Sequence, residues 1–269
     1  MNLFNKLTEL TSKTLQPLTN TSSFVNTNIT TVNRYLESFV PVSTVSQFIA
    51  KGTLTPDEFV SAGNALVDGE NFNHWTWQSG TQPGLKSYLP RDKQFLLLTH
   101  VKSLPVQDSL LQELVDTEHH LDDFASYGDF TRRPNEPTKH DPQDFVLAVE
   151  ELDLIEDRRT FEVSIVYDRY YRTPRVFLSG TNYEGKRLAP ETVLSYVSPQ
   201  HANKTITIEL HPHLNELCVS IHPCMHPQTM KRFINDYLQR QEEFHLKMYM
   251  PLFLQFISCI VPTLLIYSS

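Results

Sequence analysis

The chain has 269 residues, 40% of them hydrophobic, enough to bury one large core or two small ones. Its net charge of −8 excludes the basic face that a nucleic-acid binder needs. Its three cysteines, Cys218, Cys224 and Cys259, form no CxxC pair and no pairable pattern, which excludes a disulfide framework and points to reduced thiols in a cytosolic compartment. The acidity is local, with 15 Asp and Glu against 3 Lys and Arg between residues 104 and 157, a net of −12 that leaves the remainder at about +4. No charged n-region followed by an apolar h-region opens the chain, so a secretory route is not expected.

Residues 1–47 form the first segment. Leu3, Phe4, Leu7 and Leu10 share a helical face before Pro17. Val25, Ile29, Val32, Leu36 and Phe39 recur at spacings of four, three, four and three before Pro41. The "NTNITT" stretch within the second is poor in strong helix formers, so that helix needs a surface to fold upon, either the protein's own core or a bilayer. The folded core begins near Phe48, and residues 48–103 hold its first part. Thr55 reads as an N-cap with Pro56 at the first helical position and Glu58 three residues on, a capping box. Phe95, Leu97 and Thr99 alternate with Leu96 and Leu98 as a buried strand.

From 104 to 157 the composition turns acidic and polar, with Pro134, Pro137 and Pro142 and few aromatics. Such a segment buries too little apolar surface to offset its ordering entropy, so a disordered insertion is expected, with short helices over Asp108–Asp116 and Gln143–Asp157. Order returns over residues 158–269. Phe161, Val163, Ile165 and Tyr167 alternate, as do Ile206, Ile208 and Leu210; with Arg175–Leu178 and Leu217–Ile221 they predict an antiparallel meander. Turns fall at "SGTNYEGK" and "HPHLNE". Helical patterns flank the strands, which makes the class α+β.

The tripeptide His222-Pro223-Cys224 carries the chemistry. Leu217, Val219 and Ile221 alternate with Cys218 and Ser220 as a half-buried strand before it, and Met230, Phe233, Ile234, Tyr237 and Leu238 recur at helical spacing after Pro227. A helix N-terminus carries positive potential that favours a nearby thiolate, which suits a nucleophile that carries an acyl group as a thioester. Taken alone, a strand cysteine is more often a small buried hydrophobe, and Cys218 and Cys259, both in apolar patterns, are read as core. His222 is either a general base or a side chain that orients the loop. His211, His213, His222 and His226 with the cysteines do not match the usual zinc spacings, so no metal is assigned.

Six ordered segments resemble the autophagy-related protein 3 family: "GTLTPDEFVSAGNALV" (Gly52–Val67), "HWTWQSG" (His74–Gly80), "KSYLPRDKQFLLLTHV" (Lys86–Val101), "YDRYYRTPRVFLSGTNYEGKRLAPE" (Tyr167–Glu191), "KTITIELHPHL" (Lys204–Leu214) and the "IHPCMHP" motif. The resemblance implies a ubiquitin-conjugating-enzyme-like core and transfer of the ubiquitin-like autophagy-related protein 8 to phosphatidylethanolamine. It implies Cys224 as the thioester carrier, and a threonine at position 205 that lies close to that cysteine and influences its orientation. Thr205 otherwise reads as an ordinary strand threonine. The third position of the HPN motif of ubiquitin-type conjugating enzymes, whose Asn supports the oxyanion, is here the cysteine itself.

Partners implied by the resemblance are the activating enzyme autophagy-related protein 7, the conjugate of autophagy-related proteins 12 and 5, and a phosphatidylethanolamine-containing membrane surface. "ELVDTEHHLDD" (Glu113–Asp123) faintly resembles the activating-enzyme contact. A cytoplasmic enzyme peripheral to autophagic membranes, needing no cofactor, is the expectation. A conjugating enzyme for protein lysines and an inert binding module are the alternatives.

The run Met248–Tyr267 has about the length of a membrane span, but Pro251, Gln255 and Pro262 interrupt it, and the family carries a matching helix packed on its core. The amphipathic stripe itself yields a test. Leu36→Asp together with Phe39→Asp puts two carboxylates on the apolar face, each costing about 1–3 kcal/mol to bring into an acyl region. Thioester formation on Cys224 should stay normal while lipid conjugation falls on flat vesicles and partly recovers on small, curved ones. Wild-type conjugation on every vesicle size would remove this stretch as the membrane element.

Overall fold

The protein is described by a computed structural model over residues 40–69, 74–81, 84–103, 159–197, 205–240, 243–262, 264 and 266. The amphipathic stretches before residue 40 and the acidic segment 104–157, with its two expected helices, lie outside these residues. An antiparallel sheet of six strands organises what remains: β1 (Thr76–Gln78), β2 (Phe95–Val101), β3 (Thr160–Asp168), β4 (Thr173–Thr181), β5 (Ile206–Leu210) and β6 (Leu217–Ile221), in the order β1-β2-β3-β4-β6-β5. Helices α1 (Phe48–Lys51), α2 (Pro56–Val67), α3 (Pro190–Leu194), α4 (His226–Gln239) and α5 (Tyr249–Ile260) complete the α+β fold.

The expected meander holds as far as β4. The chain then runs through α3 to the sheet edge as β5 and returns as β6, which fits between β4 and β5. The tight turn between them forms one hairpin unit, with the His211 N–H donating to the Glu216 carbonyl at 2.7 Å. Pairing Val176 with Ile221 and Leu178 with Val219 then continues the apolar rows of β4 into β6.

Alternation gives the sheet two different faces. Leu96, Leu98, Phe161, Val163, Ile165, Val176, Leu178, Val219 and Ile221 join the main core, to which the four longer or adjoining helices contribute Phe59, Leu66, Val193, Met230, Ile234, Phe253 and Ile257. The opposite face carries a small cluster of Phe95, Val166, Phe177 and Cys218 among polar side chains. Strand β6 is therefore not half-buried as its alternation predicts: only Leu217, at its start, is exposed, because both faces of this strand are covered.

The capping box forms as predicted. Glu58 N–H donates to Thr55 Oγ1 at 3.2 Å and Thr55 N–H to Glu58 Oε2 at 2.7 Å. Helix α5 is apolar almost all round because it lies inside the core, with Leu252, Phe253, Leu254, Phe256, Ile257 and Ile260 buried. No helix among the described residues is long and apolar enough to cross a membrane.

Between α1 and α2 the segment Gly52–Thr55 is clamped from three sides. Tyr249 Oη donates to the Gly52 carbonyl at 2.6 Å, Tyr167 Oη donates to the Leu54 carbonyl at 2.7 Å, and the Leu54 N–H donates to the Arg172 carbonyl at 2.7 Å. Burial pushes both phenols above the ordinary tyrosine range, so both stay protonated as donors. Gly52 ends α1 in the left-handed region, at φ 69°, and a Cβ there would lie 2.2 Å from the Pro227 carbonyl oxygen and 2.5 Å from the Lys231 nitrogen of α4.

Gly52→Ala should therefore destabilise the fold by more than the roughly 1–3 kcal/mol of the strained φ alone, since the methyl meets backbone that cannot swing aside. Thermal unfolding measures this, and an unchanged midpoint would show that α1 and α4 do not approach as closely as described.

Candidate active site

Strand β6 ends at Ile221, and the next three residues turn the chain into α4. Pro223–Met225 form one turn of 3-10 helix whose N-cap is His222. Pro227 occupies the first turn of α4, where a missing N–H is harmless, and Met230, Phe233 and Ile234 fix the helix to the core. Cys224 sits in the middle of this corner and is exposed.

His222 Nδ1 accepts the Cys224 N–H at 3.3 Å. Burial, then the Arg175 charge, hold the imidazole below the ordinary histidine range, against the opposing pull of Glu209 and Asp168. The ring is thus neutral near pH 7, and because Nδ1 accepts, its proton lies on Nε2. The His222 N–H in turn donates to the Thr205 carbonyl at 2.7 Å, which brings Thr205 to the Cys224 corner through its backbone. Thr205 Oγ1 is buried with no hydrogen-bond partner among the described residues. The three predicted site residues therefore lie consecutively along one chain of bonds, Thr205 to His222 to Cys224.

Two residues to which the sequence reading assigned no part stand beside them. Tyr171, in the turn between β3 and β4, packs edge-on against the His222 ring at 5.5 Å. Its phenol is raised by burial and by the neighbouring Cys224 charge. Arg175 is the second. Its Nε donates to Ser220 Oγ at 2.9 Å, its Nη2 lies 2.6 Å from Glu209 Oε1, paired in charge though not aligned as a hydrogen bond, and its Nη1 lies 3.6 Å from Asp168 Oδ2. The available signal was parity: Asp168, Arg175, Glu209 and Ser220 all fall on the sheet face that lacks the main core.

His211 and His226 also bond main-chain groups. His211 Nδ1 accepts the N–H groups of His213 and Leu214, and its Nε2 bonds Ser164 Oγ at 2.9 Å, so both nitrogens are engaged. Burial first, then His213 and Arg175, lower its pKa to about 3. His226 Nδ1 donates to the Pro174 carbonyl at 2.9 Å, and burial lowers its pKa to about 4.

The three thiols differ sharply in setting. Cys218 is buried as expected, and burial pushes its thiol up to about 12. Cys259 is not core: it lies half-buried on the outer side of α5, one turn after the exposed Gln255, whose carbonyl accepts its thiol at 3.5 Å. Cys224 is the most open of the three to solvent. Iodoacetamide on the native chain near pH 8 should label Cys224 first, Cys259 at least several-fold more slowly, and Cys218 only on unfolding. Peptide mass spectrometry reads the order, and labelling of Cys218 ahead of Cys224 would contradict this packing.

Comparison with known proteins follows the same lines. The family model described as "Autophagocytosis associated protein, active-site domain" matches residues 58–268. Autophagy-related protein 3 of Dictyostelium discoideum is 30% identical, over 85% of this chain and 92% of its own length. That of Arabidopsis thaliana is 33% identical over 82% and 88%, and that of Schizosaccharomyces pombe 32% identical over 90% and 94%. The six ordered sequence segments, the α+β core and these matches agree: the chain belongs to the autophagy-related protein 3 family.

Proposed function

We propose that Cys224 carries a ubiquitin-like protein, of the autophagy-related protein 8 type, as a thioester and hands it to the amine of phosphatidylethanolamine. Membership of the autophagy-related protein 3 family supports a conjugating role in autophagy. The observation that carries the reading to one atom is the exposed Cys224 thiol on a turn whose backbone is pinned by His222.

In the first step Cys224 Sγ attacks the thioester carbonyl held on the cysteine of the activating enzyme, autophagy-related protein 7. The new C–S bond forms, the old one breaks, and the proton lost by Cys224 balances the one gained by the departing thiol. In the second step the unprotonated lipid amine attacks the Cys224 thioester. An amide forms, the amine gives up a proton, and the Cys224 thiol is restored. A turn restrained in this way lessens the ordering that each attack requires.

His222 contributes position rather than proton transfer. Its Nδ1 lone pair is taken by the Cys224 N–H and its Nε2 already bears a proton, so neither nitrogen is free to accept one from the thiol. The amphipathic stretch ahead of residue 40 supplies the contact with a bilayer, and the acidic segment 104–157 the contact with the activating enzyme. The autophagy-related protein 12–protein 5 conjugate would act as a further partner at the membrane, with the enzyme cytoplasmic and peripheral.

Incubation of the full chain with activating enzyme, ATP and the ubiquitin-like protein should give an adduct that reducing agent removes. Cys224→Ala should abolish it, a loss of at least about a hundredfold, and Cys224→Ser should give a slower, reductant-stable oxyester. Vesicles containing phosphatidylethanolamine should then discharge the wild-type adduct, whereas phosphatidylcholine vesicles should not. A reducible adduct on Cys224→Ala would sink the assignment, and discharge to free lysine at the lipid rate would favour a protein-lysine enzyme.

A further inference from the structure

The register that pairs Val176 with Ile221 sets Arg175 level with His222, and alternation puts both on the sheet face away from the main core. The Arg175 side chain is only 14% exposed. It reaches β3 through Asp168, β5 through Glu209 and β6 through Ser220, and its guanidinium lies 5.1 Å from the centre of the Phe177 ring. One buried cation thus joins the strands that carry Thr205 and His222 to the strand that leads into the Tyr171 turn. We propose that Arg175 is a positioning residue for Cys224: its guanidinium braces the strand ends behind His222 and keeps that ring able to accept the Cys224 N–H. The proposal rests on the reading of Cys224 as the nucleophile.

The argument is electrostatic as well as mechanical. His222 can cap the Cys224 turn only while Nδ1 bears a lone pair; once protonated, Nδ1 becomes a donor aimed at another donor. Among the described residues, the titratable and charged groups around the ring are Asp168 from β3, Tyr171 from the β3–β4 turn, Arg175 from β4, Glu209 from β5, Cys224 on its own turn and His226 at the start of α4. Asp168 and Glu209 favour the imidazolium, and Arg175 opposes it. Without the guanidinium two carboxylates would remain partly buried beside the ring, and the balance would reverse.

The test combines an NMR titration of His222 with single-turnover loading of Cys224 by activating enzyme and ubiquitin-like protein between about pH 5.5 and 8.5. Arg175→Gln should raise the His222 midpoint by about one pH unit. Loading by this variant should fall about three- to tenfold toward the acidic end, beyond any fall in wild type. Arg175→Lys, which keeps the charge, should stay near the wild-type midpoint. Glu209→Gln should move the midpoint the other way, downward, and decides the matter should Arg175→Gln fail to fold. The double variant Arg175→Gln/His222→Asn, whose cap oxygen does not titrate, should lose the acidic fall. An unmoved His222 midpoint, or a loss of loading equal at every pH, overturns the proposal while wild type still loads. Failure of wild type itself to load at Cys224 overturns the nucleophile reading and the positioning role with it.

Discussion

The clamp on Gly52–Thr55 is the constraint on which the rest of the structure depends. Two buried phenols and one main-chain N–H fix four residues that touch α5, β3 and the β3–β4 turn at once. Because Leu54 bonds Arg172, the same clamp holds the turn whose Tyr171 walls the His222 ring. Because Gly52 lies against Pro227 and Lys231, it also sets where α4 begins, and α4 begins two residues after Cys224. Packing far from the thiol in sequence therefore decides where the thiol stands. Losing either hydroxyl would leave a buried carbonyl unsatisfied, and such a group costs about 1–3 kcal/mol.

The sheet separates two tasks by parity. Its core face is uniformly apolar and supplies hydrophobic stabilisation, while the other face mixes a small apolar cluster with Ser164, Arg175, Glu209 and Ser220. Ser164, Arg175, Glu209 and Ser220 each find a hydrogen-bond or charge partner there, as burial favours. Three histidines are each neutral and each bonded to backbone: His211 at the β5–β6 turn, His222 at the β6–α4 corner, and His226, which packs on Phe253 and Phe256 of the main core, to Pro174. Desolvation is the first cause of the lowered pKa in all three. Neutral imidazole offers one donor and one acceptor on a rigid ring, which suits a corner where main-chain groups lose their ladder partners.

Much of this was legible in the amino-acid order. Period-2 runs marked β2, β3, β5 and β6, the Thr55–Glu58 spacing marked the start of α2, and Pro227 with the Met230–Phe233–Ile234 pattern marked α4 after Cys224. The insertion of β6 between β4 and β5 was not, because strand order depends on which edges meet in space rather than on local pattern. The double burial of β6 escaped for a related reason: Cys218 and Ser220 look like a polar row until Phe177 and Arg175 are seen to cover them. Short β1 left no alternation to read. Arg175 sits in an otherwise apolar strand run, and its partners lie in strands ahead of it and after it in the chain, so only the fold brings them together.

The corner also explains a chemical trade made by a motif whose third residue is the proposed nucleophile. A chain entering a helix normally offers its first N–H groups to an anion. Here the Cys224 N–H points to His222 Nδ1, so it is occupied before any oxyanion forms. The bond is long at 3.3 Å, between an exposed residue and a half-buried one, and so belongs with the weaker members of its class. It restrains the thiol without locking it. On the proposed reading of Cys224, an oxyanion beside it would have to draw that N–H away from the neutral ring. Keeping His222 neutral thus holds the Cys224 turn in place at rest, while it occupies an N–H that an anion beside Cys224 would otherwise find free.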